Sequence, residues 1–178
     1  MKRSSKRRSR LILILGGAGS GKSQAALDLA GDAEPKAFVA TAQALDREMA
    51  ERIARHQVAR SSDWETVEVP IDLAGWFRTQ GKRYRTIVVD CLTLWLSNQS
   101  GRRVSDETIL DCVADLLEAI RATPALVVLV GNELGLGLVP MGRTARRFRD
   151  VAGKVNQQIA AEADEVRFIL CGQTLRLK

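Results

Sequence analysis

The 178-residue sequence has one histidine, His56, and only three cysteines, and no apolar run approaches the roughly 20 residues needed to span a bilayer. A helical membrane protein is excluded, and a soluble chain is expected. Cys91, Cys112 and Cys171 are odd in number and far apart, with no Cys-x-x-Cys pair to hold zinc or form a redox couple. They read as small buried residues of a protein kept in a reducing cytoplasm. There is no internal repeat and no low-complexity linker. The length suits one substantial core and is too short for two comfortable domains.

Acids are missing from the first ten residues, MKRSSKRRSR, which hold six of the 27 basic residues. The other 21 bases face 21 acids, so the pI of about 9.6 belongs to this stretch and the body is neutral. The stretch lacks the apolar segment of a secretory signal. It reads as a solvated, disordered arm over 1–10, followed by a single catalytic domain over 11–178. Nothing in the neutral body supports a nucleic-acid partner.

What is present is concentrated in LILILGGAGSGKSQAALDLA, residues 11–30. An apolar run over 11–15 predicts a buried strand, and residues 24–30 predict a helix. Between them Gly16, Gly21, Lys22 and Ser23 stand at the spacing of a P-loop. A polyphosphate needs donors and positive potential, and a loop entering a helix N-terminus supplies both. Gly16, Gly17, Gly19 and Gly21, with Ala18 and Ser20 between them, keep side-chain bulk away from the phosphates. Lys22 is placed for the β- and γ-phosphates, and the Ser23 hydroxyl for the Mg²⁺ they carry.

Strands and helices then alternate. KAFVA ends a second strand at Ala40, leaving Thr41 and Ala42 at the edge where open parallel sheets bind ligands. Residues 45–60 predict an amphipathic helix with Leu45, Met49 and Ile53 on its apolar stripe; His56 projects from that stripe. Taken alone, a histidine on an apolar face is more often packed than reactive. A strand over 64–69 precedes a short helix N-capped by Asp72, in which Trp76 and Phe77 pack. The next strand ends in Asp90, a Walker B arrangement able to hold Mg²⁺ directly or through water. A polar loop over 98–103 leads to a helix N-capped by Ser105 and running to Arg121. A fifth strand enters the glycine-rich loop GNELGLGLVP; a long helix over 143–162 and two short strands complete the chain. These elements predict an α/β, three-layer P-loop NTPase (RecA-like) fold with a mostly parallel sheet.

GGAGSGKS, ATAQALDREMAERIARHQ, VVDCLTLWLSN, VGNELGLGLVP and RRFRDVAGKVNQQIAAEADEV occur in an order and at spacings that go beyond a generic P-loop. By these the chain resembles the bifunctional adenosylcobinamide kinase/adenosylcobinamide-phosphate guanylyltransferase family of cobalamin biosynthesis. The resemblance implies phosphorylation of adenosylcobinamide by a nucleoside triphosphate, ATP or GTP, with Mg²⁺. Transfer of GMP from GTP to adenosylcobinamide phosphate follows, through GMP linked to a histidine. The matching position is His56, and Lys22 joins it in catalysis. The resemblance places Ala40, Thr41, Ala42, Gln57, Val58, Ala59, Arg60, Glu68 and Asp90 at nucleotide-contacting positions, Glu68 being suited to guanine N1–H and N2–H₂. Asn132 and Glu133 suit substrate or loop-positioning roles.

Two departures stand out. Gly19 occupies a position where the family commonly has arginine, which removes one cation from the phosphate side. Arg55 precedes His56 where some relatives carry a second histidine, which leaves one candidate nucleophile. The resemblance also implies a homo-oligomer, typically a trimer, with Trp95 or the exposed face of the 105–121 helix as candidate interface. Two other readings start from the same residues: a kinase without guanylyl transfer, in which His56 is packed, and an NTP-dependent nucleic-acid binder using the basic arm.

Overall fold

The structure is a computed structural model that describes residues 9–44, 47, 51, 62–102 and 104–178. Short apolar runs form strands β1 (Arg10–Gly16), β2 (Lys36–Ala40), β3 (Trp64–Glu68), β4 (Thr86–Asp90) and β5 (Leu126–Val130). β6 (Glu165–Leu170) and β7 (Gln173–Arg176) follow at the far end of the sequence. The seven make one sheet in the order β3-β2-β4-β5-β1-β6-β7, parallel throughout except for the antiparallel β6–β7 hairpin. β1, the strand that feeds the glycine loop, is therefore interior, flanked by β5 and β6.

Five helices are described: α1 (Lys22–Ala30), α2 (Leu73–Gln80), α3 (Leu92–Gly101), α4 (Asp106–Arg121) and α5 (Arg143–Glu162). Side chains alternate across each strand. Ile12, Ile14, Val88, Val128 and Ile169 accordingly meet Ala26 and Ala30 of α1 on one face. Leu11, Leu13, Ile87, Val89, Val127 and Leu129 meet the other helices on the opposite face, around Phe77, Leu116 and Ile159. Burying each large aliphatic or aromatic side chain contributes about 1.5–3 kcal/mol. The result is the three-layer α/β arrangement expected from the sequence.

Two expected caps are formed. Asp72 accepts the Gly75 N–H at the start of α2, and Ser105 accepts the Thr108 N–H at the start of α4. Val151, Val155 and Ile159 are buried along α5, with Phe148 half-buried on the same stripe.

Three expectations are corrected. Residues 98–101 are the last turn of α3 and not a polar loop, because Asn98 and Gln99 turn their amides inward to backbone carbonyls. Trp95 is 1% exposed, with its indole N–H donating to Ile71 O at 2.8 Å, so it belongs to the chain's own core and offers no interface. Of the cysteines only Cys91 is buried; Cys112 is half-buried, and Cys171 is exposed at the tip of the β6–β7 hairpin. Apart from Arg47 and Glu51, the helix expected over 45–60 lies outside the described residues. So do His56, Gln57, Val58, Ala59, Arg60 and residues 1–8 of the basic arm. Arg10, the arm's final residue in the sequence reading, opens β1 and pairs with buried Glu165 at 2.7 Å.

Candidate functional site

Parallel register places the expected site positions along one edge. Glu68 pairs with Ala40, Ala40 with Asp90, Asp90 with Val130 and Val130 with Ile14, two residues short of Gly16. Neighbouring strands lie about 4.8 Å apart. The carboxyl ends of β3, β2, β4, β5 and β1 thus form a continuous rim under the loop that leaves β1. Glu68 is exposed on that rim, and Ala40, Ala42 and Asp90 are half-buried.

The loop over Gly17, Ala18, Gly19 and Ser20 delivers the chain to α1 through Gly21, whose φ of 95° is left-handed and favours glycine. α1 has no side-chain N-cap, so its first-turn amides are not occupied by a capping residue. Gly17 and Gly19 border open space, whereas a Cβ at Gly16 would lie 2.4 Å from the Ile169 carbonyl oxygen. The glycine at Gly16 therefore admits strand β6. Lys22 is only 8% exposed; its ammonium folds over the loop, donating to Gly17 O and lying 3.5 Å from Ser20 Oγ.

At the start of α1 the Ser23 hydroxyl donates to Asp90 Oδ2 at 2.6 Å. A hydroxyl and a carboxylate held this close are hard oxygen donors of the type Mg²⁺ takes. Among the described residues no cluster of three His, Cys, Asp or Glu side chains forms an all-protein metal cage.

Thr41 is fully buried, and its polar groups are engaged in the rim. Its hydroxyl donates to Cys91 O at 2.7 Å and accepts the Cys91 N–H at 2.9 Å. Its own N–H donates to Asp90 O, and its carbonyl accepts from Asn98 Nδ2, which also reaches Pro70 O. The exit of β2, the tip of β4 and the chain after β3 are thereby bolted together. Burial pushes the Cys91 thiol above its ordinary pKa and the charge of Asp90 adds to the effect, so this cysteine is a packed neutral thiol.

The GNELGLG segment joins the same assembly. Gly131 N–H donates to Ile14 O, Asn132 N–H to Thr93 Oγ1, and Glu133 N–H to Gly16 O. Glu133 Oε1 accepts the Gly135 N–H at 2.6 Å, and Asn156 Nδ2 reaches Asn132 O at 3.2 Å. Beside it opens a cleft of about 670 Å³, with Leu15 and Val166 among its apolar lining and Glu133, Arg149, Lys154 and Gln157 among its polar groups. Thr93 and Asn98 carried no distinguishing signal in the sequence; their roles depend on which carbonyls and amides the fold brings to them.

The chain has recognisable relatives. A family model described as cobinamide kinase/cobinamide phosphate guanyltransferase matches residues 12–177. The bifunctional adenosylcobalamin biosynthesis protein CobP of Pseudomonas aeruginosa is 42% identical over 173 residues, covering 93% of this chain and 96% of its own. The bifunctional adenosylcobalamin biosynthesis protein CobU of Escherichia coli is 39% identical over 180 residues, covering 94% and 99%. Among solved structures, a KaiC-like protein of Pyrococcus horikoshii superposes with a TM-score of 0.52 at 14% identity, over 90% of this chain and 71% of that one, a likeness of fold alone. With its glycine loop, its Ser23–Asp90 pair and a match running nearly end to end, the chain belongs to the cobinamide kinase/cobinamide phosphate guanyltransferase family.

Proposed function

We propose that the protein phosphorylates adenosylcobinamide with ATP or GTP and then transfers GMP from GTP to adenosylcobinamide phosphate, giving adenosylcobinamide-GDP and pyrophosphate. The observation that carries this reading is the Ser23–Asp90 pair beneath an uncapped helix start, in a chain of this family.

In the kinase step the acceptor hydroxyl oxygen bonds to the γ-phosphorus and gives up its proton to solvent, as the bond from that phosphorus to the bridging oxygen breaks. The loop amides and Lys22 stabilise the charge that develops on the departing diphosphate. In the guanylyl step a neutral His56 nitrogen bonds to the α-phosphorus of GTP, and pyrophosphate leaves. A phosphate oxygen of the acceptor then displaces the imidazole. Lys22 and the amides at the start of α1 hold the leaving pyrophosphate. Ser23 and Asp90 would hold Mg²⁺, which when bound supplies further neutralisation of phosphate charge. Ala40, Ala42, Gln57, Val58, Ala59, Arg60 and Glu68 serve the nucleoside side, with Thr41 acting through the backbone it fixes. The cleft beside Glu133 lies next to the phosphate loop and is the candidate seat for part of the corrinoid.

A homo-oligomer, trimeric by family resemblance, completes the reading. Leu138 and Met141 are each 96% exposed in one loop, and Leu170, Leu175 and Leu177 are exposed on the C-terminal hairpin. Exposed apolar side chains of this kind are candidates for cover by a second copy of the chain. Light scattering at micromolar protein reads the assembly directly. The chemical test uses α-labelled GTP: acid-labile, base-stable label on the protein that His56→Ala abolishes is expected. Label that survives the substitution refutes His56 as nucleophile, and cobinamide phosphorylation without any label reduces the protein to a kinase.

A further inference from the structure

The β6–β7 hairpin is distant in sequence from the phosphate loop and touches it at three points. β6 pairs with β1 in a register that sets Ile169 opposite Gly16, where a Cβ would meet the Ile169 carbonyl oxygen. The hairpin then reverses through Cys171 and Gly172, whose φ values of 51° and 75° are both left-handed, as a two-residue type I′ turn requires. From that turn the Gly172 N–H donates to Ser20 O at 3.0 Å. A Cβ on Gly21 would lie 3.5 Å from Gly172 Cα, so the turn passes close beside the loop at this point.

The Gly172 bond has a stereochemical consequence. The Ser20–Gly21 peptide is planar and trans, so its carbonyl and its N–H point in opposite directions. With the Ser20 carbonyl held by the hairpin, the Gly21 N–H must face away from it. Gly21 immediately precedes α1, where anion-binding amides are gathered. We propose that the Cys171–Gly172 turn positions the phosphate loop, with Gly172 the residue that locks the Ser20–Gly21 peptide so that the Gly21 amide is presented to the nucleotide's phosphates. This rests on the reading that the loop binds nucleotide phosphates. Glycine suits position 172 for its backbone angle, and Cys171 tolerates a conformation that non-glycine residues seldom adopt.

Cys171 is also a ligation point that allows a single-atom test. The full chain is assembled from a residue 1–170 thioester and a synthetic peptide over 171–178, in an all-amide form and in a form with glycolic acid replacing Gly172. The ester removes one N–H and little else. A third protein carries an ester at Leu175, in the same hairpin away from the loop. Binding of Mg²⁺–pyrophosphate is measured by calorimetry at a temperature where all three are folded. Losing the lock is expected to weaken binding about five- to tenfold, the equivalent of one hydrogen bond of ~1 kcal/mol or slightly more, in the position-172 ester alone. Equal affinity in the position-172 ester and the all-amide protein overturns the proposal, as does an equal loss in the Leu175 ester. An all-amide protein that fails to bind pyrophosphate refutes instead the nucleotide reading on which the proposal stands.

Discussion

Replacing Thr41 by valine keeps the shape of a fully buried side chain and removes only its hydroxyl. The cost can be worked from its two partners. The Cys91 carbonyl keeps the Trp95 N–H at 3.1 Å and loses one of two bonds. The Cys91 N–H loses its partner, Thr41 Oγ1 at 2.9 Å, inside the protein. Leaving a buried donor unsatisfied costs roughly 1–3 kcal/mol, and the second bond contributes about 0.5–1.5. Thr41→Val is thus expected to destabilise by about 2–4 kcal/mol, lowering Tm by roughly 4–16 °C for a chain of this size. Thr41→Ser retains the hydroxyl and loses one methyl, near 1 kcal/mol. Thermal unfolding followed by circular dichroism separates the two. A valine variant melting within about 2 °C of wild type, or a serine variant melting as low as the valine one, refutes the account of Thr41 as a bolt between β2 and β4.

Three further outcomes follow from other parts of the molecule. Burial pushes the pKa of Glu165 up, but hydrogen bonds from Arg167 and Arg10 outweigh it and hold the carboxyl below the usual range. A carboxylate depressed in the folded state stabilises above its unfolded pKa and loses that contribution as pH falls through the folded value. The stability gap between wild type and Glu165→Gln, measured by urea unfolding, should therefore be widest near neutrality and shrink on acidification; a gap independent of pH contradicts this. Gly19 has a φ of 68° with open space where a Cβ would stand, so Gly19→Arg meets no clash but costs about 1–2 kcal/mol of backbone strain. It should lower Tm by a few degrees, about 2–8 °C, while tightening GTP, and equal or weaker GTP binding by calorimetry counts against a phosphate-side role for that position. With a thiol reagent on the native protein, Cys171 should react first and Cys91 only on unfolding, the order being read by peptide mapping.

The candidate rim is legible in the sequence wherever local chemistry and global fold ask the same thing of a residue. Gly21 and Lys22 start a helix and face the loop in any P-loop, and Asp90 ends an apolar strand whose neighbours are equally apolar. Asp72 and Ser105 cap helices for reasons contained within four residues. Legibility failed where a polar residue is spent on a distant carbonyl. Asn98 and Gln99 looked like solvent-facing loop residues because the carbonyls of Thr41, Pro70 and Ile71 that consume their amides are brought there only by the fold. The Thr41 hydroxyl holds Cys91, a partner fifty residues away that the sequence around Thr41 does not announce. Gly16 is a similar case, since its missing Cβ makes room for the Ile169 carbonyl. Trp95, large and near a strand end, suggested an interface; its indole N–H is answered within the same chain. In each case the residue type was right for a close approach, and the partner was the part that sequence proximity does not reveal.

The interior place of β1 also governs the order in which the site can come into being on the ribosome. Its strand neighbours among the described residues are β5 and β6, both synthesised long after it, and the amide that orients the Ser20–Gly21 peptide comes later still. A nascent chain carrying the whole glycine loop, Lys22 and Ser23 has the motif without the strands that shape it. The shape of the phosphate loop is thus completed only when the far end of the sheet has been laid down.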